Sequence, residues 1–197
     1  MSPEGLMAKA TRLARELKTT YTADNGVSDL RPILGAYDGD GRLLVSVLMA
    51  SLASGELGMT AAAIGAAWQP WAMTFISEAY VRVVAELADA PEHGSLARAF
   101  ADGDLGVYEA VLVQLHHRDS DEPGCLAATL PFSYLTGHTI EWKDPGPWQN
   151  VGEVGGRIYN LLHAAVSIGP PPGIGTNEAR GYAIELIENH GHLVAMA

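Results

Sequence analysis

The chain has 197 residues, 12 of them basic and 23 acidic, for a net charge of −11 at neutral pH. That length suits one domain burying roughly 70% of its unfolded surface without staples, and the acidity argues against non-specific binding of nucleic acid or anionic membrane. Charged residues make up only 18%, below the usual share of about 25%, a composition expected of a chain that hides surface by self-association.

Cys125 is the one cysteine, so no internal disulfide can form, and a reducing cytoplasm is the expected compartment. No apolar run reaches the roughly 18 residues of a membrane span. Charges at Lys9, Arg12, Arg15 and Glu16 interrupt the N-terminal stretch, unlike the apolar centre of a signal peptide. Lys9, Arg12, Arg15 and Lys18 are read as a solvated helix face in preference to a nucleic-acid contact.

Ser2-Pro3-Glu4 opens a helix with a capping hydroxyl, a first-turn proline and an acid near the positive end. Leu6, Ala10, Leu13 and Leu17 recur at helical spacing, which predicts an amphipathic helix of about four turns ending near Thr20. Residues 33–37 and 42–50 are apolar runs around Asp38-Gly39-Asp40-Gly41, a hairpin signal. A calcium loop is rejected because Val47 stands where a bidentate Glu would be needed. Thr60 is read as the cap of a short helix over residues 61–68, ended by Gln69-Pro70.

Residues 71–84, WAMTFISEAYVRVV, read as a long central strand. Met73, Phe75, Ser77, Ala79, Val81 and Val83 form one face. Ala72, Thr74, Ile76, Glu78, Tyr80 and Arg82 form the other, which begins apolar and ends polar. Residues 85–104 predict a surface connection with a short helix at 96–101. Residues 107–117 read as a strand, 125–130 as its return and 139–142 as a short edge. Val154, Ile158, Leu161, Ala165 and Ile168 mark a helix stopped by GPPPG. Thr176 is read as the cap of a last helix, and Asn189-His190-Gly191 as its stop. The fold class is α+β: an antiparallel sheet of about five strands within residues 33–142, with the N-terminal helix and two C-terminal helices (within residues 150–197) packed on it as one domain.

Three constellations could carry chemistry. Glu78, Tyr80 and Arg82 share a strand face, with Glu109 on the next predicted strand. Paired carboxylates beside an Arg can do acid–base work, with Tyr80 touching a ligand; the plainer reading is a paired polar edge. In His116-His117-Arg118-Asp119 the adjacent imidazoles point to opposite faces, so His117 with Asp119 is the candidate metal pair, against a polar hairpin tip; His190-Gly191-His192 is a weaker one. Gly173, Gly175 and Thr176 precede a helix N-terminus and could receive a phosphate, although the Lys-Ser/Thr of a P-loop is missing. No motif identifies a cofactor.

Phe75-Ile76-Ser77-Glu78-Ala79-Tyr80 followed by the Glu109-led strand resembles uncharacterised proteins of actinobacteria and their phages, which carry a Ser-Glu-Ala-Trp strand at this place. Tyr80 stands here in place of the Trp. The resemblance covers about residues 33–142 and implies an actinobacterial or phage origin but no activity. The functional expectation is a non-enzymatic interaction or structural protein acting as a homo-oligomer, with a protein partner. The alternative is a small, metal-dependent hydrolase using Glu78, Glu109 and His116 or His117, and a third reading is a nucleotide-binding regulator.

Overall fold

The computed structural model describes residues 1–50, 54–82, 96–103, 106–118, 125–144, 149–150 and 157–196. Its elements are α1 (Pro3–Asn25), β1 (Ile33–Tyr37), β2 (Leu43–Leu48), α2 (Ser54–Trp68), β3 (Ala72–Arg82), α3 (Leu96–Ala101), β4 (Val107–His117), β5 (Cys125–Thr136), β6 (Thr139–Trp142), β7 (Gln149–Asn150), α4 (Arg157–Ser167), α5 (Thr176–Asn189) and β8 (Leu193–Met196). The sheet runs β6-β5-β4-β3-β1-β2-β8, antiparallel at every pairing, and β7 adds to β5 off that path. The α+β class holds, but the sheet is wider than the five strands predicted. Beyond the six strand segments read from the sequence, the structure adds β7 and β8. Gly191, at φ 75°, turns the chain back after α5, and Leu193–Met196 pair with β2. Four apolar residues after a helix stop carry too little periodicity to announce a strand.

β3 is central, flanked by β1 and β4, and both its faces are covered. Met73 and Phe75 meet α2, α4 and α5 with Leu34, Val45, Val47, Ile64, Leu162 and Ile187. Ala72 and Ile76 meet α1 with Leu6, Met7, Val111, Val113 and Leu130.

α1 begins as expected: Ser2 Oγ accepts from the Gly5 N–H at 3.2 Å. It runs past Thr20 to Asn25, where Gly26 (φ 75°) donates to the Thr22 carbonyl. β-branched residues form helix weakly, but Thr22 is fully buried, so packing overrides propensity. The buried stripe is Leu6, Met7, Ala10, Ala14, Lys18 and Thr22. Leu13, expected inward, is 37% exposed.

α2 starts at Ser54 rather than residue 61, so Thr60 lies inside the helix, buried, and caps nothing. Leu57, 1% exposed in the apolar layer, explains the earlier start. Gln69 ends α2 at φ 49°. Its Nε2 donates to the Gly65 and Ala66 carbonyls, both at 2.9 Å, which satisfies groups the helix end leaves open. In the β1–β2 hairpin Asp38 Oδ1 accepts from Asp40 N–H (3.0 Å) and Arg42 N–H (2.8 Å), so its carboxylate closes the turn.

Candidate site: a closed ion pair beside an aromatic cleft

In the β3–β4 register Glu78 stands opposite Val111 and Tyr80 opposite Glu109. Paired residues share a face, so all four point toward α1. Lys18 comes down on them. Read as part of a solvated face, it is instead fully buried, because it extends the Met7–Ala10–Ala14 stripe by one helical step. Its Nζ donates to Glu78 Oε2 (2.8 Å) and Oε1 (3.0 Å), to the Ser28 carbonyl (3.0 Å) and to Tyr134 Oη (2.9 Å). The rings of Phe132 and Tyr134 lie 4.7 and 5.2 Å away, within cation–π reach. Glu78 Oε2 also accepts from the Leu30 N–H at 2.8 Å.

An ammonium has three protons to give, and Lys18 spends them on three groups within the chain. Burial alone would pull its pKa down, but the hydrogen bonds to Glu78 and Tyr134 outweigh that and hold it above the ordinary lysine value. Glu78, its side chain 6% exposed, is neutralised and held from two sides. The pair ties α1, the segment before β1, β3 and β5 together.

Glu109 sits differently. Burial, then the charges of Glu78 and Asp29, raise its pKa above the usual carboxylate value, while Lys18 and a hydrogen bond from Tyr80 pull the other way. Tyr80 is raised too, by burial and then by Glu109, Asp29 and Glu78. These groups line a recess of about 80 Å³ formed by Asp29, Glu78, Ala79, Tyr80 and Glu109. Through Tyr80 and Glu109 the recess shares its wall with a cleft of about 780 Å³ walled by Phe100, Tyr108, Phe132 and Tyr134. The Tyr80 and Phe100 rings are 5.0 Å apart, and Phe100 is 38% exposed.

Of the predicted site residues, the fold brings Glu78, Tyr80 and Glu109 together. Arg82 closes β3 opposite Val107; its backbone alone is described. His117 pairs with Ala72, six positions from Glu78, about 20 Å at 3.3 Å per residue. It stacks on Trp71, ring centroids 5.7 Å apart. His116 lies on the opposite face, fully buried, with Nε2 3.3 Å from Cys125 Sγ. Burial first, then His163 and His117, lower its pKa to about 4, and burial pushes the Cys125 thiol up to about 12. Neither histidine therefore joins Glu78 and Glu109. Asp119 lies outside the described residues, among which no group of three or more His, Cys, Asp and Glu is placed to hold a metal.

His192 is buried, and its Nδ1 accepts from the Ala50 N–H at 3.1 Å. Gly173, Gly175 and Thr176 are exposed at the start of α5, whose buried residues pack on the sheet face away from Glu78. Gly175, not Thr176, is the N-cap, and no side chain caps the helix.

Sequence reasoning missed Lys18 and Tyr134. A lysine in phase with an apolar stripe was the available signal. Nothing local marked Tyr134. Compared with protein-family models, with curated proteins and with solved structures, the chain matches none.

Proposed function

We propose that the protein is a non-enzymatic interaction module whose aromatic cleft receives a basic side chain of a protein partner. The observation that carries this reading is Glu109. It is a half-buried carboxylate whose proton affinity is raised by burial and by neighbouring acids, beside Tyr80, Phe100 and Tyr108. An incoming guanidinium or ammonium would relieve that charge and find ring faces to lie against. The hydrolase reading is disfavoured because Lys18 and Leu30 occupy Glu78 and the histidines lie elsewhere.

The test is titration with a short peptide carrying one arginine between leucines, and with the same peptide carrying citrulline. The arginine peptide binds, and Glu109→Gln weakens it about 10- to 100-fold, the worth of a hydrogen bond to a charged group. Because the bound cation favours ionised Glu109, affinity falls as pH drops through the raised Glu109 pKa. Equal binding of both peptides, or none, overturns the reading.

Self-association has a separate support. β8 is an edge strand without charge, and Leu193 and Met196 are 63% and 60% exposed. Such an edge is a template for strand pairing. In this reading two copies join β8 to β8, and Leu193→Lys converts a dimer to a monomer by light scattering; a monomeric wild type rejects it.

A further inference from the structure

α1 packs over β4, β5 and β6. On the same face of the sheet α1 reaches β1 and β2 at Ile33, Tyr37 and Leu43, no helix among the described residues lies over β8, and a trough of about 510 Å³ runs there beside α1. Its walls are Leu13 and Leu17 of α1 on one side and Leu193 and Ala195 of β8 on the other. The leucines that the sequence marked as the inward stripe of α1 thus border an open trough. Among the described residues no charged side chain lines it.

The lining carries three hydroxyls, those of Thr74, Tyr37 and Ser46, and the first two meet over Gly35. Gly35 lies opposite Thr74, and a Cβ there would stand 2.9 Å from Thr74 Oγ1 and 3.1 Å from Tyr37 Oη. Glycine therefore lets the two hydroxyls lie close over the β1 backbone, on the trough floor. Thr74 is 1% and Tyr37 4% exposed, and the two hydroxyls share a hydrogen bond. That bond uses one of their two protons and leaves the other to offer to a ligand oxygen. The nearby Lys9 ammonium, 5.8 Å from the Tyr37 ring centre, bonds to the Gly41 carbonyl and does not line the trough.

We propose that this trough binds a small neutral molecule with an aliphatic body and a single hydroxyl or carbonyl head, the head at Thr74 and Tyr37 and the chain toward Leu193. The volume falls in the range of small-molecule sites, which are mostly apolar with a few placed polar groups. An ionised head is excluded because the trough offers it no counter-charge, and burying an unpaired charge is costly. The site is independent of the aromatic cleft, which lies past the C-terminal end of α1.

The experiment is calorimetric titration of the full chain with 1-decanol, and with decanoate in parallel. Decanol binds once per chain, and decanoate at least tenfold more weakly. Thr74→Val, which keeps the shape and removes the hydroxyl, weakens decanol about 2- to 10-fold, the range of a neutral hydrogen bond. Leu48→Trp, a half-buried trough position, blocks binding while the thermal unfolding midpoint confirms that the variant folds. Failure of decanol to bind the wild type overturns the proposal. So does decanoate binding as tightly as decanol, binding unchanged in Leu48→Trp, or a wild-type dimer that dissociates as decanol is added, which would give the trough to a second copy.

Discussion

The two faces of the sheet are covered in different ways. Three helices, α2, α4 and α5, close one face with a layer that is apolar apart from small polar insertions such as His116. The other is served by one long helix, α1, of 23 residues, with the short α3 against the far end of β3 and β4. One helix is about 10 Å across, while neighbouring strands lie about 4.8 Å apart, so α1 cannot roof seven strands. The aromatic cleft past its end and the trough along its flank are what it leaves uncovered. Where cover is complete, side chains need only fit. Where it is partial, the fold is pinned at one point by the Lys18–Glu78 pair and concave surface remains beside it.

That contrast can be broken hardest at Lys18. Lys18→Met leaves the Glu78 carboxylate buried without its cation and should cost about 3–5 kcal/mol of stability in urea unfolding. Adding Glu78→Leu should recover most of the loss, because a buried pair replaced whole by apolar groups is often neutral. If the double variant stays as unstable as the single one, the pair is more than a strut.

The three-helix face is probed at Gly65. A Cβ there would run into the Ala165 carbonyl of α4, so α2 and α4 touch backbone to backbone. Gly65→Ala should cost about 1–3 kcal/mol, as overpacking does, despite alanine's better helix propensity. A stabilised variant would show that the helices can separate freely.

The finest separation is by pH, because buried groups on the two faces titrate in opposite senses. His116 has its pKa lowered to about 4, so between there and its ordinary value near 6.5 the unfolded chain binds more protons. Its contribution to stability is lost as pH falls through that window. Glu109 is raised, so the folded chain holds the extra proton. Its contribution is present below the unfolded carboxylate pKa and lost as pH rises through the folded value. His116→Leu should flatten the acid loss and Glu109→Gln should remove the opposing slope, each read from unfolding midpoints across pH. Slopes unchanged in both variants would remove these groups from the pH dependence.

The local features were legible because each rests on residues close in sequence. Ser2-Pro3-Glu4 announced the start of α1, Asp38 to Gly41 the hairpin, and the alternation from Met73 to Arg82 the strand at the centre. The strand face carrying Glu78 and Tyr80 followed from the period of two alone, and Glu109 was set beside it before its register was known. The length of α1 was misread because Thr19, Thr20 and Thr22 weigh against a helix that tertiary contacts nonetheless extend. The orientation of α1 was misread because Leu13 and Leu17 are as apolar as Leu6 and Met7, and periodicity cannot rank equal candidates for the core.

By itself the sequence determined the alternation of faces, the turns and the segregation of charge, because these depend on neighbours within a few residues. Tertiary structure decided that Lys18 belongs inside. Its ammonium is tolerable there only because Glu78, 60 residues on, and Tyr134, 116 residues on, arrive at 2.8 and 2.9 Å. It also decided that Glu109 keeps a raised proton affinity while Glu78 is neutralised, since that depends on which carboxylate α1 reaches. The trough and the cleft exist for the same reason: cover is a property of the assembled layers and of no single segment.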